Sequence, residues 1–153
     1  VAAGERPFEY RTLAHLPVAH IAGLQGYLIN LFYAGGLVYW MPKFDFQLFL
    51  EYHKKYTITV LFSVPAIYLL IAKSPLVTDQ FNALMLAQSG AAPLGVEVQR
   101  AASAKFGRGQ TFLGQTWGLS ETTGSATCMG SKGRDWECGP IAAKSEYEVR
   151  SYD

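Results

Sequence analysis

The chain has little charge and little cysteine, and each shortage excludes something. Asp, Glu, Lys and Arg together make up 16% of its 153 residues, and their near balance, a net charge of +1, leaves no basic stripe for a nucleic-acid backbone. His53-Lys54-Lys55 is the nearest approach to a basic cluster. The two cysteines, Cys128 and Cys138, have no second pair and no histidine beside them, which argues against zinc. Two free thiols in a reducing compartment are the expectation, with a disulfide left open. The longest apolar stretch, Ile21 to Met41, is interrupted by Gln25, Asn30 and glycines, so no membrane span is expected. Neither a G-x-x-x-x-G-K-S/T loop nor a G-x-G-x-x-G turn occurs; Gly107-Arg108-Gly109 runs on to Phe112. No charged segment followed by a cleavage site opens the chain. It begins with Val1, and the expectation is that the natural amino terminus, with any targeting information, lies upstream.

Half of the residues are hydrophobic, enough for a buried core in one domain. Short extended runs alternate with helical ones. "RTLAHLP" reads as a strand closed by Pro17, and "HIAGLQGYLINLFYAGG" as a buried helix, apolar nearly all round, stopped by Gly35-Gly36. "LVYWM" reads as a short buried strand ended by Pro42. Asp45 is placed to cap a helix whose Phe46, Phe49, Leu50 and His53 share one face. "TITVLFSV" is β-branched and strand-like, Pro65 suits the first turn of the next helix, and Ser74-Pro75 ends it. A second round follows: strand "ALMLAQSG", loop "SGAAPLG", then a helix "VEVQRAASAKF" with Val98, Ala101, Ala102 and Lys105 on one side. Strand "QTFLGQ" then leads into the loop "GQTWGLSETTG". This alternation predicts parallel βαβ units and an α/β fold. Beyond Gly124 a turn-rich stretch and an alternating "SEYEVRSYD" predict a strand-forming tail.

Two loops carry the chemistry, and both follow predicted strands, where α/β sheets bind ligands. In "SGAAPLG", Gly90, Ala91 and Ala92 are small enough for a flat ligand to approach the backbone; a tight turn that must avoid bulk explains them equally well. In "GQTWGLSETTG", Trp117 offers a face for a base, Gly118 a sharp turn, Ser120 a hydroxyl for a phosphate oxygen, and Glu121 a hard ligand for Mg²⁺. Taken singly, Trp117 also reads as a core aromatic, and Ser120-Glu121 as a helix N-cap. "GLSET" misses the nucleophile elbow, since Thr122 stands where the second glycine belongs, so a serine hydrolase is disfavoured. His20, between strand and helix, reads as a satisfied core histidine if nothing else is known, and His15 and His53 as structural or surface histidines.

In order along the chain, "LPVAHIAGL", "MPKFD", "VPAIYLLIAKSPL", "SGAAPLG" and "GQTWGLSETTG" resemble successive motifs of the adenylate-forming superfamily. That superfamily comprises acyl-CoA synthetases, luciferases and peptide-synthetase adenylation domains, and the look is nearest to its 4-coumarate–CoA ligase-like branch. The resemblance runs from about Leu16 to Gly124, with a weaker tail beyond. It implies a reaction of a carboxylic acid, aryl or fatty, with Mg-ATP to give an acyl-adenylate and pyrophosphate, followed by transfer to coenzyme A. It also implies roles. Trp117 takes the aromatic position beside adenine, where tyrosine is commoner, with Gln115, Thr116 and Gly118 as neighbours. Ser120 replaces a threonine at the α-phosphate, and Glu121 matches the magnesium-associated glutamate. Gly90, Ala91 and Ala92 lie between adenine and acyl group. His20 lines the acyl pocket near the reacting carboxylate, Ala22 forms a pocket wall, and Lys43 is a basic residue near coenzyme A.

The family's Ser/Thr/Gly-rich phosphate loop, expected upstream of His20, is missing from these 153 residues, as are the ribose-binding aspartate and the mobile C-terminal domain with its lysine. The expectation is therefore a partial AMP-binding domain over residues 1–153, inactive by itself, in a cytoplasmic or peroxisomal enzyme. The alternatives are a piece of a peptide-synthetase adenylation domain or a non-catalytic remnant that binds a nucleotide or a partner protein.

Overall fold

A computed structural model describes residues 8–128. Six strands form one sheet in the order β2-β1-β3-β4-β5-β6. They are β1 (Arg11–Ala14), β2 (Leu37–Trp40), β3 (Val60–Ser63), β4 (Leu86–Ser89), β5 (Leu113–Leu119) and β6 (Gly124–Cys128). β1 to β5 pair in parallel, and β6 returns antiparallel to β5. The expected parallel α/β core is thus present. Because β1 lies between β2 and β3, the chain reverses its direction of travel across the sheet at β1, which creates a crevice at the strands' carboxyl ends.

Three helices follow from their sequence signals. Asp45 caps α3 (Phe46–Lys55), its Oδ1 accepting from Leu48 N at 2.9 Å, and Phe49, Leu50 and His53 are buried. Pro65 opens α4 (Pro65–Lys73), and α5 spans Val96–Ser103. These helices close one face of the sheet. Leu13, Leu61, Ala87 and Leu113 project from successive strands into a core with Phe49, Tyr68, Ile71, Phe81, Ala102 and Phe106. Phe81 sits at its centre, 5.2 Å from the ring of Phe106 and 6.2 Å from that of Phe49. His53 and His15 are structural, as one of the two readings held. Each donates Nδ1–H to a carbonyl, of Phe49 and Leu13 respectively, at 2.8 Å, and burial pushes their pKa values down to about 3 and about 4.

Several expectations need correction. The apolar segment after His20 is α1 (Ile21–Gly23), a π-helical stretch (Leu24–Ile29) and α2 (Asn30–Ala34), and it is not buried all round. Only Gly23, Gly26 and Tyr27 are buried, while Phe32 and Tyr33 are 83% and 95% exposed. A helix buries only the stripe that meets a neighbour, and among the described residues nothing covers the outer side. β2 is an edge strand rather than a buried one, leaving Leu37 and Trp40 exposed, because it pairs on one side only. On α5 the buried pair is Gln99 and Ala102, with Ala101 exposed. The Gln99 amide is drawn inward by Leu113 O, 2.6 Å from its Nε2. Lys105 does face inward, its Nζ donating to Ile71 O, Ala72 O and Ser74 O at the end of α4. β6 ends at Cys128, and the turn-rich stretch "MGSKGRDWECGP" begins after it, outside the described residues. The tail from 129 onward, with Cys138, lies outside the described residues, as does the Cys128 side chain.

Candidate functional site

The motif that opens at Gly114 is not a loop. β5 runs through Gln115, Thr116, Trp117 and Gly118, and the turn proper is Ser120–Thr123 before β6. An extended backbone alternates its side chains. Thr116 and Gly118 face a cavity of about 270 Å³, whereas Trp117, 59% exposed, lies off its lining. The core-aromatic reading of Trp117 and the N-cap reading of Ser120 are both excluded, since the ring is exposed and no helix follows. Thr122 locks the turn: its hydroxyl accepts from Leu119 N at 2.9 Å and lies 2.8 Å from Gly124 O. The residue that spoils a nucleophile elbow here shapes a hairpin.

The cavity opens where the switch-point argument places a ligand. His20 and Ala22 bring the exit of β1 to it, Phe62 comes from β3, and Ala91 follows β4. Ser120 and Glu121 close the β5 side. His20 is exposed rather than a core histidine. Its Nδ1 caps α1 by accepting from Ala22 N at 3.1 Å, which leaves the proton of the neutral ring on Nε2. Ala91 holds φ +69°, a left-handed conformation that costs an alanine strain energy and that clusters at ligand sites. Gly90, by contrast, is buried. A Cβ there would stand 2.8 Å from Thr116 Oγ1 and 3.0 Å from Phe62 Cζ, so its bareness serves packing between β3 and β5.

Of the predicted site residues, the structure brings together His20, Ala22, Ala91, Thr116, Gly118, Ser120 and Glu121. Five stand aside. Gly90 is buried off the lining, Trp117 and Ala92 are exposed off it, and Lys43 is exposed beyond β2. The Gln115 amide is spent on the neighbouring loop: its Oε1 accepts from Leu94 N at 3.0 Å and its Nε2 donates to Leu94 O at 3.1 Å. Gln115 therefore fixes "SGAAPLG" to β5. Phe62 and Gln25, which also line the cavity, went unrecognised in the sequence. Gln25 carries a faint signal, one of two amides in an apolar segment; Phe62 carries none in a β-branched run.

A second cavity, about 650 Å³, lies at the amino ends of the strands beside Arg11, Thr57 and Thr111. It is larger, yet its one guanidinium is committed to Glu9 at 2.5 Å and to Thr57, and α/β sheets bind ligands at the opposite end. Among the described residues no helix is long and apolar enough to cross a membrane, and no three His, Cys, Asp or Glu side chains cluster to cage a metal.

Known proteins resemble this chain in sequence and in fold. The protein named "Putative acyl-coenzyme A synthetase" of Emericella nidulans is 49% identical over 120 residues, covering 78% of this chain and 21% of its own length. The 4-coumarate–CoA ligase 2 of Nicotiana tabacum is 35% identical over 144 residues, 90% of this chain and 26% of that enzyme. The chain thus spans about a fifth to a quarter of the curated relatives it matches. The crystal structure of ATP-bound MatB from Rhodopseudomonas palustris superposes with a TM-score of 0.70 at 28% identity, over 82% of this chain and 24% of that one. The family model described as AMP-binding enzyme matches residues 2–152, and the chain therefore belongs to the AMP-binding, adenylate-forming enzymes.

Proposed function

We propose that the 153 residues are the middle of the large domain of an ATP-dependent acyl-CoA synthetase, and that the crevice at the strands' carboxyl ends is where acid meets nucleotide. The observation that carries this is the convergence of His20, Ala91, Ser120 and Glu121, from three separate stretches, on one 270 Å³ cavity. The reaction is attack by a carboxylate oxygen of the acid on the α-phosphorus of ATP, with pyrophosphate leaving. The thiol of coenzyme A then displaces AMP from the acyl-adenylate to give the thioester.

The chain's own residues suit the first step. His20, with its proton on Nε2, donates to the incoming carboxylate and orients it. The Ser120 hydroxyl donates to an α-phosphate oxygen as charge gathers there. Strained Ala91 brings bare backbone between the two substrates. Trp117, exposed on the outer face of β5, stacks against adenine, with Thr116 and Gly118 shaping the wall beneath the phosphates. Ala92 adds a small contact beside Ala91, and Gln115 holds that loop in register. Ala22 bounds the acyl group, and exposed Lys43 attracts the phosphates of coenzyme A. Mg²⁺ takes few protein carboxylates and keeps waters and phosphate oxygens, which fits a single exposed carboxylate at Glu121. When bound it neutralises phosphate charge.

Carboxylic-acid-dependent ATP–pyrophosphate exchange tests the reading. The full-length protein carrying this segment is expected to exchange with at least one aryl or fatty acid, and the 153-residue chain to show none. Exchange by the short chain would refute the proposed dependence on outside segments. A full-length protein inert with every acid, though it binds ATP, would replace catalysis with a binding role.

A further inference from the structure

Gln25 lies 100 residues from the hairpin that bears Ser120 and Glu121, yet it touches that hairpin at its root. Its Oε1 accepts from Ser125 N at 3.3 Å. Its amide also lies against the bare Cα of Gly124, where any Cβ would collide with Oε1; at φ +102° the position suits glycine alone. Among the described residues, no other side chain from outside the hairpin hydrogen-bonds to residues 119–125. Thr122 holds the turn's internal shape but fixes it to nothing else.

The anchor itself is tied down by hydrogen bonds. Gln25 lies in the π-helical stretch Leu24–Ile29, a wider turn that is frequent at functional sites. Two buried tyrosines bind that stretch to the residues flanking β1. Tyr10 Oη donates to Gly26 O at 2.8 Å, while Tyr27 Oη accepts from His15 N and Leu16 N at 3.3 and 3.1 Å. Both Gln25 and His20 therefore stand on a segment fixed to the sheet, and both line the cavity.

The geometry points to Gln25 as a positioning residue that fixes the Ser120–Glu121 turn to the helix bearing His20, so that the carboxylate-orienting and phosphate-facing groups keep one spacing. The catalytic part of this role rests on the adenylation reading above; the tether does not. Near-attack geometry is sensitive to displacements of about 1 Å, so a turn freed from its anchor lowers turnover more than nucleotide affinity.

The test uses the full-length protein and two variants of nearly equal length. Gln25→Met removes the acceptor, and Gln25→Glu keeps it. Hydrogen–deuterium exchange of residues 119–126, the Ser125 amide above all, should rise about fivefold in Gln25→Met and stay near wild type in Gln25→Glu, with α3 to α5 unchanged in both. In ATP–pyrophosphate exchange Gln25→Met should lose about tenfold in kcat, with KM for ATP moving less than threefold. Unchanged protection at 119–126 in Gln25→Met, or equal opening in the two variants, overturns the tether. An opened hairpin with undiminished turnover overturns the positioning role. If wild type shows no exchange but Gln25→Met still opens the hairpin, the tether stands and the adenylation reading falls.

Discussion

The face of the sheet closed by α3, α4 and α5 and the crevice at the strands' carboxyl ends are built from the same strands to opposite specifications. On the closed face Phe49, Tyr68, Phe81 and Phe106 are fully buried and interlock, and two histidines are held neutral by burial. Around the crevice His20, Ala91, Ser120 and Glu121 are exposed, the backbone is strained at Ala91, and among the described residues the turn hangs from one long-range side-chain hydrogen bond. The difference teaches that the closed face supplies stability, while the crevice spends some of it on geometry. Damage to one should therefore be readable separately from damage to the other.

The largest effect is expected on the closed face. Phe49→Ala should cost about 3–5 kcal/mol of stability by urea denaturation, because a fully buried ring leaves a cavity. A loss below about 1 kcal/mol would mean that the two regions are not as unequal as described. Acid probes the same face. Both buried histidines have folded-state pKa values below the ordinary 6.5, at about 4 for His15 and about 3 for His53. The unfolded chain thus takes up protons first as pH falls, so stability is complete above about pH 6.5 and declines below it. The decline is about 1.4 kcal/mol per pH unit for each histidine, ending near pH 4 and pH 3 in turn. Urea midpoints at pH 7 and pH 5 should reveal it, and His53→Phe should shallow the slope; a midpoint flat over this range would contradict it.

Crevice changes should invert the pattern. Glu121→Gln is expected to lower pyrophosphate exchange on the order of a hundredfold while moving stability by less than about 0.5 kcal/mol. Trp117→Ala should raise KM for ATP about tenfold and leave the melting curve in place, as loss of a stacking face would. An exposed Trp117 whose removal unfolds the chain would blur the division.

What the sequence made legible follows from how local each signal is. Asp45 and Pro65 announce their helices within one turn, and the βα alternation can be read by eye, so the sheet and its carboxyl-end loops were accessible. The motif order brought His20, Ser120 and Glu121 into one account before any geometry. The fine structure of the site was less accessible. A run as rich in glycine and hydroxyls as "GQTWGLSETTG" looks like a loop, yet pairing with β4 at Gln115 and with β6 from Thr116 to Leu119 holds it extended. Apolar content made 20–36 look buried, but burial depends on what packs against a helix, which periodicity does not report. The Gln25–Ser125 bond spans 100 residues and the His15–Ser63 pair 48, and no local pattern announces either.

The most direct test of the division is hydrogen–deuterium exchange of the full-length protein with and without Mg-ATP. Protection is predicted over residues 89–95 and 115–125, with α3 to α5 unchanged and nothing at Arg11, Thr57 and Thr111 around the amino-end cavity. Protection at that amino-end cavity, or none over the two carboxyl-end segments, would contradict the account.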